Sequence, residues 1–352
     1  MSDNAALCLR FDLDTFSTRH AYTADVGWGA YPYLPRILRV AGSHGVKLQF
    51  CSCGQGVKEY ALEHRGIHAG GHPIDSHLFT HRVRLTDPVA PVLEELILAE
   101  QAFSDEKIPW SGIGATGMYA HGIEDCPEVQ QALVDRGYQW CSTKYNRELS
   151  LEDMQPYWLN EWLLEIPCAG MSDRDTFADP EATVEGFSAT VLGLLDEAKR
   201  KGLVYAIDLH PGVLAKYDPE CAFVTRVIER AAEIGVPLVT MDQISQWQIA
   251  VKEAEAFASG ERDGELGAVW QHVGVGDEGS EEEPPSFQRY LEVQAMWDRD
   301  RAQPHQPEKQ LDYVGGWRTF PNWQRNGIRI NRFGLRGGDC KRHKADGVTR
   351  VL

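Results

Sequence analysis

Two aspartates one residue apart interrupt an otherwise apolar stretch, "LCLRFDLDTF", near the start of the chain. Side chains alternate faces along a strand, so Asp12 and Asp14 point the same way and Leu13 the other. Two carboxylates that close repel each other, and burial adds a desolvation cost, so a cation, a proton or water must compensate them. Taken alone, the pair fits a metal site and a solvated turn capped by Asp14 equally well. A second stretch, "GIHAGGHPIDSHLFTH", brings His68, His72, Asp75, His77 and His81 into a short span. The spacing of His77 and His81 predicts one helical turn with both imidazoles on one face. Joined by one carboxylate, they would form a three-ligand site with open positions for water and substrate, as catalytic metals require. A third stretch, "VYAIDLHPG", ends a strand in His210, with Asp208 two residues before it on the same face. There His210 is either a general acid at the end of a sheet or a histidine satisfied by backbone. Cys51 and Cys53 form a C-x-C, but inside a strand-like run they read as small hydrophobes.

These groups need elements to hold them. Short apolar runs recur from residue 7 to about 250: "LCLRFDLD", "KLQFCSCG", "HPIDSH", "WSGIGAT", "YQWCSTK", "WLLEIPC", "LVYAIDLH" and "VPLVTMD". Between them lie helical faces, one of Val89, Val92, Leu93, Leu96, Ile97 and Phe103 and another of Val224, Val227, Ile228 and Ala231. Gly137, Gly202 and Gly235 each stand between a helix and the next strand, where a left-handed cap belongs. Repeated β-α units predict an α/β fold with a parallel sheet covered by helices. Seven or eight strands favour a closed barrel over residues 1–255. At the C-terminal ends of its strands, Asp12 and Asp14 would reach the face that carries barrel active sites.

The 352 residues, 43% apolar and 25% charged, suit a globular chain of one large or two ordinary domains. A net charge of −17 argues against a nucleic-acid surface. The N-terminus shows no signal-peptide pattern, and the chain has no apolar run long enough for a transmembrane helix. The eight cysteines then read as reduced thiols, and a cytoplasmic location is expected. Residues 256–288, rich in Gly, Glu and Ser, read as an acidic flexible linker. Residues 289–352 form a C-terminal extension that is basic and aromatic. Its "IRINRFGLRGGD" and "VTRVL" are similar to the segment leading into the catalytic block of some SGNH-type esterases. The Gly-Asp-Ser nucleophile block is absent before Leu352, so on that resemblance the chain would be the front of a longer two-enzyme protein. An extension that packs on the barrel or mediates assembly is the alternative.

The three motifs, in this order, resemble the polysaccharide deacetylase family, the NodB-homology or carbohydrate esterase family 4 group. "RFDLDT" is similar to its first motif, "GGHPIDSHLFTH" to its second and "AIDLHPG" to its last. "ALVDRGYQWCST" and "IERAAEIGVPLVTMDQI" resemble its later helix–strand segments, so the likeness covers about residues 7–248. It implies a distorted (β/α) barrel in which Asp12 is the catalytic base and His210 the acid. Asp14, His77 and His81 would hold a divalent metal, with Zn²⁺ first among candidates. The Asp-x-Asp spacing is nearest to branches acting on small or lipid-linked sugars, including the aminoarabinose-lipid deformylase type. The implied substrate is an N-acylated sugar, sugar nucleotide or lipid-linked glycan. A non-sugar amide, as in allantoinase-like relatives, and a degenerate barrel that binds glycan without cleaving it are the alternatives. Two partners of the family pattern are missing: Gly114 stands where an arginine pairs with the base, and Thr143 where an aspartate tunes the acid. Asp208 is expected to orient His210, and Arg174, in "MSDRDTF", to replace the arginine unless it is an ordinary loop residue. Backbone N–H groups near Ile113–Gly114 or Cys141–Thr143 are expected to stabilise an oxyanion. Trp28, Tyr31, Tyr119, Tyr145 and Trp158 are available to stack on a sugar ring.

Overall fold

The computed structural model of the chain describes residues 4–14, 21–146, 150–258, 287–288, 290–292, 295, 342–345 and 348–351. In chain order the first half comprises β1 (Ala6–Leu13), α1 (Ala21–His44), β2 (Gln49–Ser52), α2 (Gly54–Glu59), α3 (Ala61–Ala69), β3 (Ile74–Ser76), α4 (Val89–Asp105), β4 (Gly114–Ala120), α5 (Pro127–Asp135) and β5 (Trp140–Asn146). Then come β6 (Tyr157–Trp158), β7 (Leu164–Glu165), β8 (Cys168–Ala169), α6 (Asp173–Thr176), α7 (Val184–Lys201), β9 (Val204–Leu209), α8 (Pro211–Tyr217), α9 (Ala222–Glu233) and α10 (Met241–Ala258). A hairpin of β10 (Arg342–Ala345) and β11 (Val348–Val351) follows. Chain contacts divide these into two units, residues 1–245 and 246–352.

In the first unit, β1 is buried over its whole length because parallel strands flank it on both sides, β2 on one and β9 on the other. The sheet runs β6-β7-β5-β4-β3-β2-β1-β9, with β8 paired separately to β5. Every pairing within it is parallel except β6 with β7. The expected strand "VPLVTMD" is reduced to a single bridge between Leu7 and Leu238, the expected "WLLEIPC" divides into β7 and the start of β8, and β6 is an additional strand. The sheet curls into a distorted half-barrel. Arg10, on β1, reaches across its interior and donates from Nη1 to Ser142 Oγ on β5 at 2.7 Å.

Helices close the outer surface as the apolar periodicity requires. Val224, Val227, Ile228 and Ala231 of α9 are all buried, and Phe187 of α7 stacks on Phe223 at 4.6 Å. On α4, Val92, Leu96 and Phe103 are buried, whereas Ile97, expected on the same face, is 42% exposed. Gly137, Gly202 and Gly235 all have positive φ, which glycine adopts at no steric cost. Cys51 and Cys53 are buried free thiols within the packing around β2. At Gly114 the backbone lies beneath the Trp140 indole, and a Cβ there would meet Cζ2 at 1.9 Å. Trp140 thus leaves room at position 114 for glycine alone.

In the second unit, Phe287 packs on Trp247 at a ring distance of 4.7 Å and stacks on Tyr290 at 6.0 Å. Most of the expected linker, residues 259–286, lies outside the described residues, as does most of the extension that resembles an esterase leader. Among the described residues no helix is long and apolar enough to cross a membrane.

Candidate active site

Parallel strands deliver their C-terminal ends to one rim, and the polar groups collect there. Asp14 follows β1, His77 follows β3, and His210 follows β9. Asp14 Oδ1 lies 3.1 Å from His77 Nε2 and 3.4 Å from His81 Nε2. The imidazoles are stacked with centroids 4.8 Å apart. The expected helical turn is not what brings them together. Residues 77–81 are irregular, and Leu78 and His81 have φ of 59° and 56°, a left-handed turn instead of a helix. Glu95 of α4 holds this turn by accepting from the Phe79 and Thr80 amides at 2.9 and 2.7 Å and from Thr80 Oγ1 at 2.7 Å. Gly54 and Gln55, in the first turn of α2, donate to the Leu78 and Phe79 carbonyls at 2.8 and 3.0 Å.

The donor set suits a divalent ion. His77 Nδ1 donates to Thr116 Oγ1 at 2.5 Å, which fixes the tautomer and leaves Nε2 as a bare ligand atom. Burial, helped by the His77 and Arg174 charges against the pull of Asp14, lowers His81 to about 4, so its ring is neutral at pH 7. Burial opposes the charge on Asp14, yet His81 and Arg174 hold its carboxyl well below the usual range. Asp14 Oδ1, His77 Nε2 and Asp12 Oδ1 are buried without a hydrogen-bond partner. Asp14 Oδ1 and His77 Nε2 lie together, and two such unsatisfied atoms side by side are costly unless a cation satisfies them.

Asp12 and His210 flank this point. Arg10 Nη2 donates to Asp12 Oδ2 at 2.7 Å, a pairing within one strand face at i and i+2. Burial works against ionisation of Asp12, but Arg10, then His77 and His210, outweigh it and lower its pKa. Arg10 is thus the arginine paired with Asp12, whereas Arg174, expected beside Asp12, is not. Its Nη2 donates to Asp14 Oδ2, on the other side of the ligand set.

His210 is oriented by a residue that sequence reasoning missed. Its Nδ1 donates to Asp173 Oδ1 at 2.7 Å and its backbone N–H to Asp173 Oδ2 at 2.8 Å. Nε2 then faces the cavity, 4.0 Å from Asp14 Oδ2. Burial and Arg174 press the imidazolium down, but Asp173 and Asp14 prevail and push His210 up to about 9. Asp208, expected in this orienting part, instead lies 3.7 Å from the Arg10 guanidinium. Burial raises its pKa, with Asp12 adding to the effect against Arg10 and His210.

A cavity of about 490 Å³ opens over these groups, lined among others by Asp12, His77, His81, Arg174, Asp208 and His210. Tyr145 lines it too, with its hydroxyl donating to Asp175 Oδ2 at 2.5 Å. Tyr31 is buried and stacked on Tyr60 at 3.8 Å. Trp158 is half-buried in β6, and the side chains of Trp28 and Tyr119 lie outside the described residues.

The sequence matches no protein-family model and no curated protein. Solved structures do match. A protein from Pseudomonas aeruginosa PAO1 described as a polysaccharide deacetylase superposes with a TM-score of 0.56 at 16% identity, over 69% of this chain and 91% of that one. A second so described, from Mycobacterium smegmatis, gives 0.53 at 18% identity over 70% and 90%. The chain shares the fold of these two structures. Puue allantoinase shares it, with a TM-score of 0.55 at 16% identity over 69% and 90% of the two chains.

Proposed function

We propose that this chain is a metal-dependent hydrolase that removes an acetyl or formyl group from the nitrogen of an amino sugar, carried as a free sugar, a sugar nucleotide or a lipid-linked glycan. One observation carries the reading: two imidazoles and a carboxylate converge on a buried, unsatisfied point, with an ionised carboxylate on one side and a carboxylate-bound imidazole on the other. Asp14, His77 and His81 would hold the ion, and their nitrogen and oxygen donors suit Zn²⁺. Bound there, such an ion supplies Lewis acidity, polarising a carbonyl and lowering the pKa of water toward about 7. Asp12, steadied by Arg10, takes the proton of the attacking water. His210, held by Asp173 with Nε2 toward the cavity, gives a proton to the departing nitrogen, without which an amide breaks slowly at neutral pH. The half-open cavity leaves room for a sugar beside these groups.

The test is zinc content together with acetate and formate release from a panel of N-acetyl and N-formyl sugars, with ureides as the allantoinase-type comparison. Asp12→Asn should keep zinc and lose about 10²–10⁴-fold in turnover. Asp14→Asn and His77→Ala should lose zinc and turnover together. Zinc and turnover unchanged in those two variants would remove the ligand assignment, and ureide hydrolysis alone would move the substrate away from sugars.

A further inference from the structure

Attack of water on an amide places a full negative charge on the carbonyl oxygen, and the backbone donors that the sequence offers for it are already occupied. Ile113 and Gly114 N–H both point at Asp75 Oδ1, at 3.2 and 2.8 Å. Thr143 and Lys144 N–H both point at Glu165 Oε1, at 2.7 and 2.8 Å. Asp75 and Glu165 are wholly buried, so these amides are committed to structure. Cys141 and Ser142 lie inside the paired stretch of β5.

The cavity is lined by three side chains with a permanent positive charge, Arg10, Lys144 and Arg174. Arg10 is turned to Asp12, Asp208 and Ser142. Lys144 lies 3.3 Å from Glu124 Oε1 and 4.9 Å over the Tyr157 ring, away from the ligand set. Arg174 alone of the three sits against a proposed ligand carboxylate, bonded to Asp14 Oδ2 and not to the Oδ1 that His77 and His81 approach. Its side chain is 28% exposed, toward the cavity. Its backbone is fixed by donation to Asp173 Oδ1 at 2.7 Å and by the Ser172 cap of α6. A guanidinium presents five donors in a rigid fork, so one edge can rest on a carboxylate while another faces a substrate oxygen.

We propose that Arg174 is a catalytic residue that donates to the oxyanion formed during acyl hydrolysis. This rests on the acyl-hydrolase reading above. The water oxygen bonds to the acyl carbon, its proton passes to Asp12, and the C=O π pair moves to the carbonyl oxygen, where Arg174 N–H donates to it. That pair then re-forms C=O, the C–N bond breaks, and the nitrogen takes a proton from His210, giving a carboxylic acid and an amine. The Arg174 contact strengthens as the charge appears, so it accelerates the reaction more than it tightens substrate binding.

The experiment uses the full zinc-loaded chain as wild type, Arg174→Met and Arg174→Lys. It measures kcat and KM on the best N-acyl sugar and on 4-nitrophenyl acetate, whose leaving group needs no acid. Chelator competition gives zinc affinity, and thermal unfolding confirms that each variant folds. Arg174→Met should lose about 10²–10³-fold in kcat on both substrates, with KM and zinc affinity within about twofold of wild type. Arg174→Lys should recover part of the loss, whereas His210→Ala should fail mainly on the amide. Turnover of Arg174→Met within about threefold of wild type would overturn the proposal. So would a tenfold loss of zinc affinity matching the loss of turnover, which would make Arg174 a holder of Asp14. Wild type inactive on every acyl substrate would instead sink the acyl-hydrolase reading, and the proposal with it.

Discussion

Removing the Arg10 guanidinium would strand Asp12 as a buried carboxylate, with only histidines and a raised-pKa neighbour beside it. Arg10 and Asp12 are 7% and 4% exposed at their side chains, so solvent offers little relief. Arg10→Met should therefore cost about 3–5 kcal/mol of unfolding free energy, read from urea titration. Much of that should return in Arg10→Met/Asp12→Asn, which buries no unpaired charge. If the single variant is as stable as wild type, the pair does not govern the charge balance of the barrel interior. The sequence held the clue to Arg10, since strand alternation places residues 10, 12 and 14 on one face. It carried no such mark for α6, where Ser172 Oγ caps the turn by accepting from the Asp175 amide at 3.1 Å. What it could not disclose is that Asp173, inside that turn, meets His210 across 37 residues of chain.

The elements that carry the ligands explain both what was legible and what was not. Seven strands follow from apolar runs bounded by turn residues, and the helix faces follow from their periodicity. The His77–His81 spacing failed as a helix signal because a turn with two non-glycine residues in the left-handed region brings the rings together equally well, and no residue type marks it. Glu95 on α4 makes that turn affordable, so Glu95→Ala should weaken zinc binding about 10–100-fold with both imidazoles intact. Zinc affinity equal to wild type would show that the turn holds its own shape. A second histidine sets the acid sensitivity of the adjoining elements. His64 of α3 donates from Nδ1 to Tyr60 O at 2.7 Å, and its Nε2 lies 2.6 Å from Ser52 Oγ of β2, so the ring is enclosed between a helix carbonyl and a strand hydroxyl. Burial lowers it from 6.5 to about 4. The unfolded chain then binds more protons between those values, so stability is complete above pH 6.5 and falls as pH drops toward 4. At about 1.36 kcal/mol per unit the loss is about 3 kcal/mol, and His64→Phe should flatten that limb in unfolding midpoints measured from pH 7 to 4. An unchanged slope would place the acid sensitivity elsewhere.

Across the whole molecule, the proposed ion would link binding to folding. Asp14 follows β1 and His77 and His81 follow β3, so an ion held by them would tie together neighbouring parts of one sheet and favour the folded state. Zinc at a hundred times its dissociation constant should add about 2.7 kcal/mol, raising the midpoint of the residue 1–245 unit by about 5–10 °C. Asp14→Asn should show no such rise in calorimetry, and a rise of the same size there would point to zinc bound elsewhere. The order of the groups along the chain has a temporal consequence. All three proposed ligands, together with Asp12 and Arg10, fall at or before residue 81, while the proposed acid and the residue that holds it come only at 210 and 173. A ribosome-bound chain that has emerged past β4 carries every ligand but no proton donor for the leaving nitrogen. On the proposed function, metal uptake and acyl release would thus report on two different stages of biogenesis, the second complete only when β9 docks beside β1.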